Sequence, residues 1–212
     1  MINSVKPNLI VSDSRGAWFR ATILFILALI GTVGMWSVVV FIPDIEKEFG
    51  LDRGTSSLLY AFTMIGFGFG TVVIGKVYDK FGIKKPILLA TFVLITSYYF
   101  YSIFPFYWQF LILQFLMGFA ASAFFGPAMA DISNFFNKQR GFALSIVASA
   151  NYVAGATWPL LIGYFLTFID WRAAHFWISI CLFIMIPLIL LLKNASVDES
   201  KSHDMKQRYK DI

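Results

Sequence analysis

The stretch Gly75-Lys-Val-Tyr-Asp79-Lys-Phe-Gly82-Ile-Lys84-Lys85 is a short charged interruption between two long apolar runs. Upstream, Gly54–Gly75 contains no Asp, Glu, Lys or Arg, and downstream Pro86–Ala130 contains none either. Ala21–Phe41, Gly141–Ile169 and Ala173–Leu192 are equally uncharged. A helix rises 1.5 Å per residue, so roughly 20 apolar residues cross a hydrocarbon core of about 30 Å. Pro86–Ala130 is long enough for two crossings, with Phe104-Pro105-Phe106 as the place where it turns back. Six membrane-spanning helices are therefore expected. Helices are preferred over barrel strands, because these runs are too long and lack alternating polarity, and because a helix satisfies its own backbone in lipid. With 58% hydrophobic and 14% charged residues and a mean hydropathy of +0.73, the chain is not a soluble globular domain.

The charges give an orientation. Of 17 lysines and arginines, only Lys47, Arg53 and Arg172 fall on one side of the bundle. The others lie in the N-terminal lead, the Gly75–Lys85 loop, Asp131–Arg140 and the C-terminal tail. Basic excess marks the cytoplasmic side, so both termini are expected in the cytoplasm of a plasma (inner) membrane protein. The net charge of +5 thus reports topology and implies no nucleic-acid partner. The expected organisation is a lead over residues 1–20, a six-helix bundle over 21–193 and a polar tail over 194–212 without fixed structure. The first span is too long for a signal-peptide core and stays in place. It ends near Pro43, and Asp44–Arg53 forms a charged outer loop. Tyr98, Tyr99, Tyr101, Tyr107 and Trp108 have the look of an interfacial aromatic belt. His175 is expected at the interface. Cys181, the single cysteine, excludes an intramolecular disulfide and a multi-cysteine metal site.

The G-x3-D-x2-G spacing followed by a cationic pair resembles the loop between helices two and three of major facilitator superfamily transporters. Phe135-Phe136-Asn-Lys138-Gln-Arg140-Gly141-Phe-Ala143 is similar to the aromatic-then-basic approach to helix five in the monocarboxylate-transporter-like branch. Phe124-Phe125-Gly126-Pro127, Asn151-Tyr152-Val-Ala-Gly155-Ala-Thr-Trp158-Pro159 and Asp170-Trp171-Arg172 extend the likeness. Ile83 departs from it where arginine is frequent, as do Ser145 and Ala150 where glycine is usual. The resemblance covers the chain as an amino-terminal half: an all-α fold of six helices arranged as a 3+3 inverted repeat. It implies a carrier for a small organic anion such as a monocarboxylate, completed by a second six-helix half, either a separate chain or a second copy. In such carriers Asp79 latches the cytoplasmic side, placed against the positive end of a facing helix. Gly75 lets helix two approach a neighbour, Gly82 allows the tight reversal, and Lys84 and Lys85 close the motif.

Gly66/Gly70 and Gly118/Ser122/Gly126 stand at the four-residue spacing that lets helices pack closely in lipid. Val147, Asn151, Gly155, Trp158 and Ile162 share one face of helix five. Asn151 is the most polar group in mid-span, suited to bonding a substrate carboxylate or, equally, another helix. Trp36, Gln114, Tyr152 and Trp158 join it as candidates for the substrate path. No span holds a charge at its middle, so intramembrane ion-coupling groups are absent from this stretch. No catalytic constellation, metal motif or cofactor loop is read, so no enzyme activity is expected. The alternatives are a six-span protein that binds or regulates a partner carrier without transporting, or a truncated fragment without function. The expected partners remain the lipid bilayer, a small-molecule substrate and the second half.

Overall fold

The computed structural model describes residues 8–10, 12–192 and 195–197. Six helical spans cross the bundle: Arg15–Phe49, Arg53–Phe81, Lys84–Ile103, Tyr107–Phe135, Arg140–Phe165 and Trp171–Leu191. Three of them are broken. The first is α1 (Arg15–Gly31) and α2 (Val33–Phe49), which meet at Thr32. The second and third are α3 (Arg53–Phe81) and α4 (Lys84–Ile103). The fourth is α5 (Tyr107–Ala121), a 3-10 turn over Ser122–Phe124, and α6 (Gly126–Phe135). The fifth, α7 (Arg140–Phe165), runs unbroken through Pro159. The sixth is α8 (Trp171–Cys181), a 3-10 turn at Leu182–Ile184 and α9 (Met185–Leu191).

The expected six spans are present, but their ends are longer than the charges implied. Helix begins at Arg15 rather than after Arg20, within the expected lead. It continues past Pro43 to Phe49, so the loop expected over Asp44–Arg53 shrinks to Gly50, Leu51 and Asp52. Two local devices hold that loop. Gly50 takes the left-handed conformation, φ 62°, that ends α2. Asp52 caps α3, and hydrogen bonds from Thr55 hold its carboxyl below the ordinary carboxylate range.

Most of the expected tail, with Lys193 and His203, and Lys6 of the lead lie outside the described residues. Within it, Ala195–Val197 (β2) pairs in parallel with Asn8–Ile10 (β1), so these residues are not structureless. The pairing brings both ends of the bundle's chain to the same side, as an even number of crossings requires.

Helix packing rests on the small residues read from the sequence. A Cβ on Gly66 would run into the Phe115 carbonyl, and one on Gly118 into the Thr63 carbonyl. The second and fourth spans thus meet backbone to backbone, the contact that dispersion and close approach favour in lipid. Gly126, by contrast, faces open space among the described residues.

Candidate functional site

The five residues expected along a substrate path divide into two groups. Trp36 and Asn151 are half-buried near the middle of the first and fifth spans, where the indole Nε1–H donates to Asn151 Oδ1 at 3.2 Å. The Trp36 ring lies across Gly155, where a Cβ would sit 3.0 Å from it. Trp158, one turn further along, donates from Nε1 to the Leu29 carbonyl at 2.8 Å. Leu29 lies just before the break at Thr32, whose own hydroxyl donates back to Ala28 at 2.8 Å. The shared face Asn151–Gly155–Trp158 expected from helical spacing is the one that meets the first span. Tyr152 projects beside this contact and is 72% exposed.

Gln114 belongs elsewhere. It is 1% exposed, its Oε1 accepts from Thr63 at 2.8 Å, and its Nε2 donates to Tyr101 at 3.3 Å. The amide joins the second, third and fourth spans and presents no free polar edge. Burial of an amide in lipid demands that both ends be satisfied, and here they are.

The Gly75–Lys85 loop shows a mixed outcome. Gly82 has φ 73°, the positive value that lets the chain reverse between α3 and α4. Gly75, read as a place of close approach, has nothing within 4 Å of a Cβ position. Asp79 is exposed and makes no hydrogen bond or ion pair among the described residues. Ile83, the departure from arginine, is buried in the core. Lys84 is half-buried and Lys85 exposed.

Two polar clusters escaped the sequence reading. At the basic end, Arg20 Nε and an Nη donate to Asp131 at 2.6 and 2.9 Å, with side chains only 5% and 8% exposed. The guanidinium also lies 4.6 Å from the centre of the Phe135 ring. Beside it, Asp13 accepts backbone N–H bonds from Asn137, Lys138 and Gln139, fastening the start of the first span to the loop before the fifth. At the opposite end, Glu48 accepts from Trp171 at 2.9 Å and from Arg172 at 2.6 Å. Arg172 also donates to the Phe104 carbonyl at 2.8 Å, so the ends of the first, third and sixth spans away from the basic side are tied together.

Tyr98 and Tyr101 are not interfacial. They are buried, with Tyr98 sharing a 2.6 Å hydrogen bond with Ser37. His175 is likewise enclosed, 1% exposed, with Tyr101 stacked on it at 4.3 Å and Phe41 at 4.0 Å. Its Nδ1 lies 2.7 Å from the Trp171 carbonyl, which the Nδ1–H tautomer satisfies. These residues build the core at the end opposite the basic side, while Tyr99 and Trp108 are exposed. Among the described residues no group of His, Cys, Asp and Glu is placed to hold a metal.

Six crossing helices tied at both ends by buried or half-buried polar contacts make this an integral multi-pass membrane protein. Residues 24–210 match the Major Facilitator Superfamily, and the chain belongs to that family as one six-helix half of its fold. It is 29% identical over 148 residues to the MFS-type transporter pynF of Aspergillus niger, covering 68% of this chain and 33% of that one. The agnestins efflux protein AgnL12 of Paecilomyces divaricatus is 27% identical over 71% of this chain and 35% of its own length. The MFS-type transporter YdgK of Bacillus subtilis is 26% identical over 81% of this chain and 44% of its own. The matched region thus spans between a third and a half of these relatives.

Proposed function

We propose that this chain is one wall of a secondary carrier that moves a small organic solute across a membrane by alternating access. The other wall is a second six-helix half, supplied by another chain or a second copy. The first and fifth spans face the path, with Asn151 offering its amide to the solute and Trp36, Tyr152 and Trp158 shaping the surface around it. Gln114 holds that wall together from behind. The observation that carries this reading is the Trp36–Asn151 pair, a polar contact at mid-depth that is only half-buried, whereas the Thr63–Gln114–Tyr101 and Ser37–Tyr98 contacts are enclosed. The likeness of Phe135–Ala143 to monocarboxylate carriers supports an organic anion, such as a monocarboxylate, as solute. Both termini are cytoplasmic in a plasma (inner) membrane, which leaves the Gly75–Lys85 loop as the inner gate.

Proteoliposomes separate this from a non-transporting role. The purified chain alone is expected to give no uptake of labelled lactate, because one half encloses no path. Co-reconstituted with a second half, it is expected to transport. Asn151→Leu then lowers uptake about tenfold or more, the scale of a lost hydrogen bond to a charged group. Trp36→Phe keeps the ring on Gly155 and frees the Asn151 oxygen, so most uptake survives. Equal losses for the two variants would make the pair helix-to-helix glue, and strong uptake by the chain alone would remove the need for a second half.

A further inference from the structure

Away from the first–fifth contact, the third and sixth spans leave an apolar groove of about 490 Å³ between them. Lys85, Leu88, Phe92 and Ile95 form one bank, and Phe183 and Ile186 form the other. Leu88, Phe92 and Phe183 are exposed, so the groove is open along its length rather than sealed by neighbouring side chains. Thr91 forms part of its lining, but that hydroxyl is buried and donates to the Ile87 carbonyl at 2.9 Å. The groove therefore offers an occupant hydrocarbon contact and, at one end only, a charge.

That charge is Lys85, in the first turn of α4. Its ammonium lies 4.4 Å from the centre of the Phe81 ring, which Lys80 approaches to 5.3 Å. Among the described residues it has no carboxylate partner. From Lys85 to Ile95 the helix climbs about 15 Å, roughly half of a hydrocarbon core. A lysine at headgroup depth above an apolar trough that ends near the midplane matches the two halves of one amphiphile.

We propose that this groove binds a single anionic phospholipid, with an acyl chain between the third and sixth spans and its phosphate on Lys85. Charge complementarity selects the occupant. A zwitterionic lipid fills the same trough but brings a cation of its own to the lysine, whereas an anionic headgroup does not. The bound lipid would brace the third span against the sixth on a face that carries no part of the proposed path. Lys85 also closes the loop proposed as the inner gate, so the site is tested by lipid retention rather than by uptake, and its failure is distinguishable from failure of the transport reading.

The full chain, extracted in mild detergent and exchanged into phosphatidylglycerol or phosphatidylcholine nanodiscs, provides the test. Native mass spectrometry is expected to show one phosphatidylglycerol retained per chain, and thermal unfolding is expected at higher temperature in phosphatidylglycerol. Lys85→Gln weakens retention about fivefold, the share of one lysine near an anionic surface. Lys80→Gln, off the groove, leaves retention unchanged. Leu88→Trp fills the trough and displaces the lipid with Lys85 intact. Equal losses for Lys80→Gln and Lys85→Gln would reduce the effect to diffuse surface charge and overturn the site. So would equal retention of phosphatidylcholine, or a dimer that Leu88→Trp splits, which would give the groove to a second copy.

Discussion

Arg20 and Asp131 show what a single residue pair can do at a membrane boundary. Both are charged and nearly buried, so each carries a desolvation cost that the other offsets. Removing one partner strands the other. Asp131→Asn is therefore expected to lower stability by about 3–5 kcal/mol. The double variant Arg20→Met/Asp131→Leu restores most of that loss, since it leaves no charge behind. Unfolding of the purified chain in detergent, followed by tryptophan fluorescence, checks both; additive losses would mean the two do not act as a pair. Reading from sequence placed both residues outside the spans because isolated charges mark boundaries. Two charges far apart in the chain that neutralise each other inside the fold leave no trace in a local pattern. His175 was misplaced for a related reason, and the partners of Gln114 were not legible either: polarity was visible, but not the Thr63, Tyr101 and Trp171 groups that satisfy it.

At the scale of elements, the six spans and their order were legible, because apolar length is a direct requirement of the bilayer. Their breaks were not. Thr32 interrupts the first span where its hydroxyl bonds back to Ala28, and Ser122–Phe124 tightens the fourth just before Pro127. Such breaks arise from side-chain bonds and packing rather than from loss of hydrophobicity. The glycine spacing was legible and its use can be measured. Gly118→Ala drives a methyl group into the Thr63 carbonyl and is expected to destabilise the chain by about 1–3 kcal/mol or more. Gly68 lies one turn from that contact but faces open space, so Gly68→Ala is expected to stabilise the isolated chain by about 0.5–1 kcal/mol. Opposite shifts in thermal unfolding would verify the packing of the second span against the fourth. Equal shifts would mean that this face is assigned wrongly.

For the whole molecule, the open positions matter more than the packed ones. The second and fifth spans are the least buried of the six, and Gly68, Gly75, Gly141 and Gly163 have nothing within 4 Å of a Cβ position. Asp79 stands at the end of that open second span without a hydrogen-bond or ion-pair partner among the described residues. In the proposed carrier its carboxylate meets the positive end of a helix in the other half and holds the cytoplasmic side shut. Such a contact contributes nothing to the half alone and up to about 2 kcal/mol to one state of the assembled carrier. Asp79→Asn is therefore expected to leave insertion and unfolding of this chain unchanged. In the assembled carrier it removes the charge that favours the closed inner side, shifting the resting balance by as much as about thirtyfold. Uptake falls because the carrier no longer returns efficiently to the outward-open state, and a thiol probe placed beside Gly75 becomes more reactive. A change in unfolding of the isolated chain would assign Asp79 an internal partner instead. Unchanged uptake with unchanged reactivity would remove it from the gate.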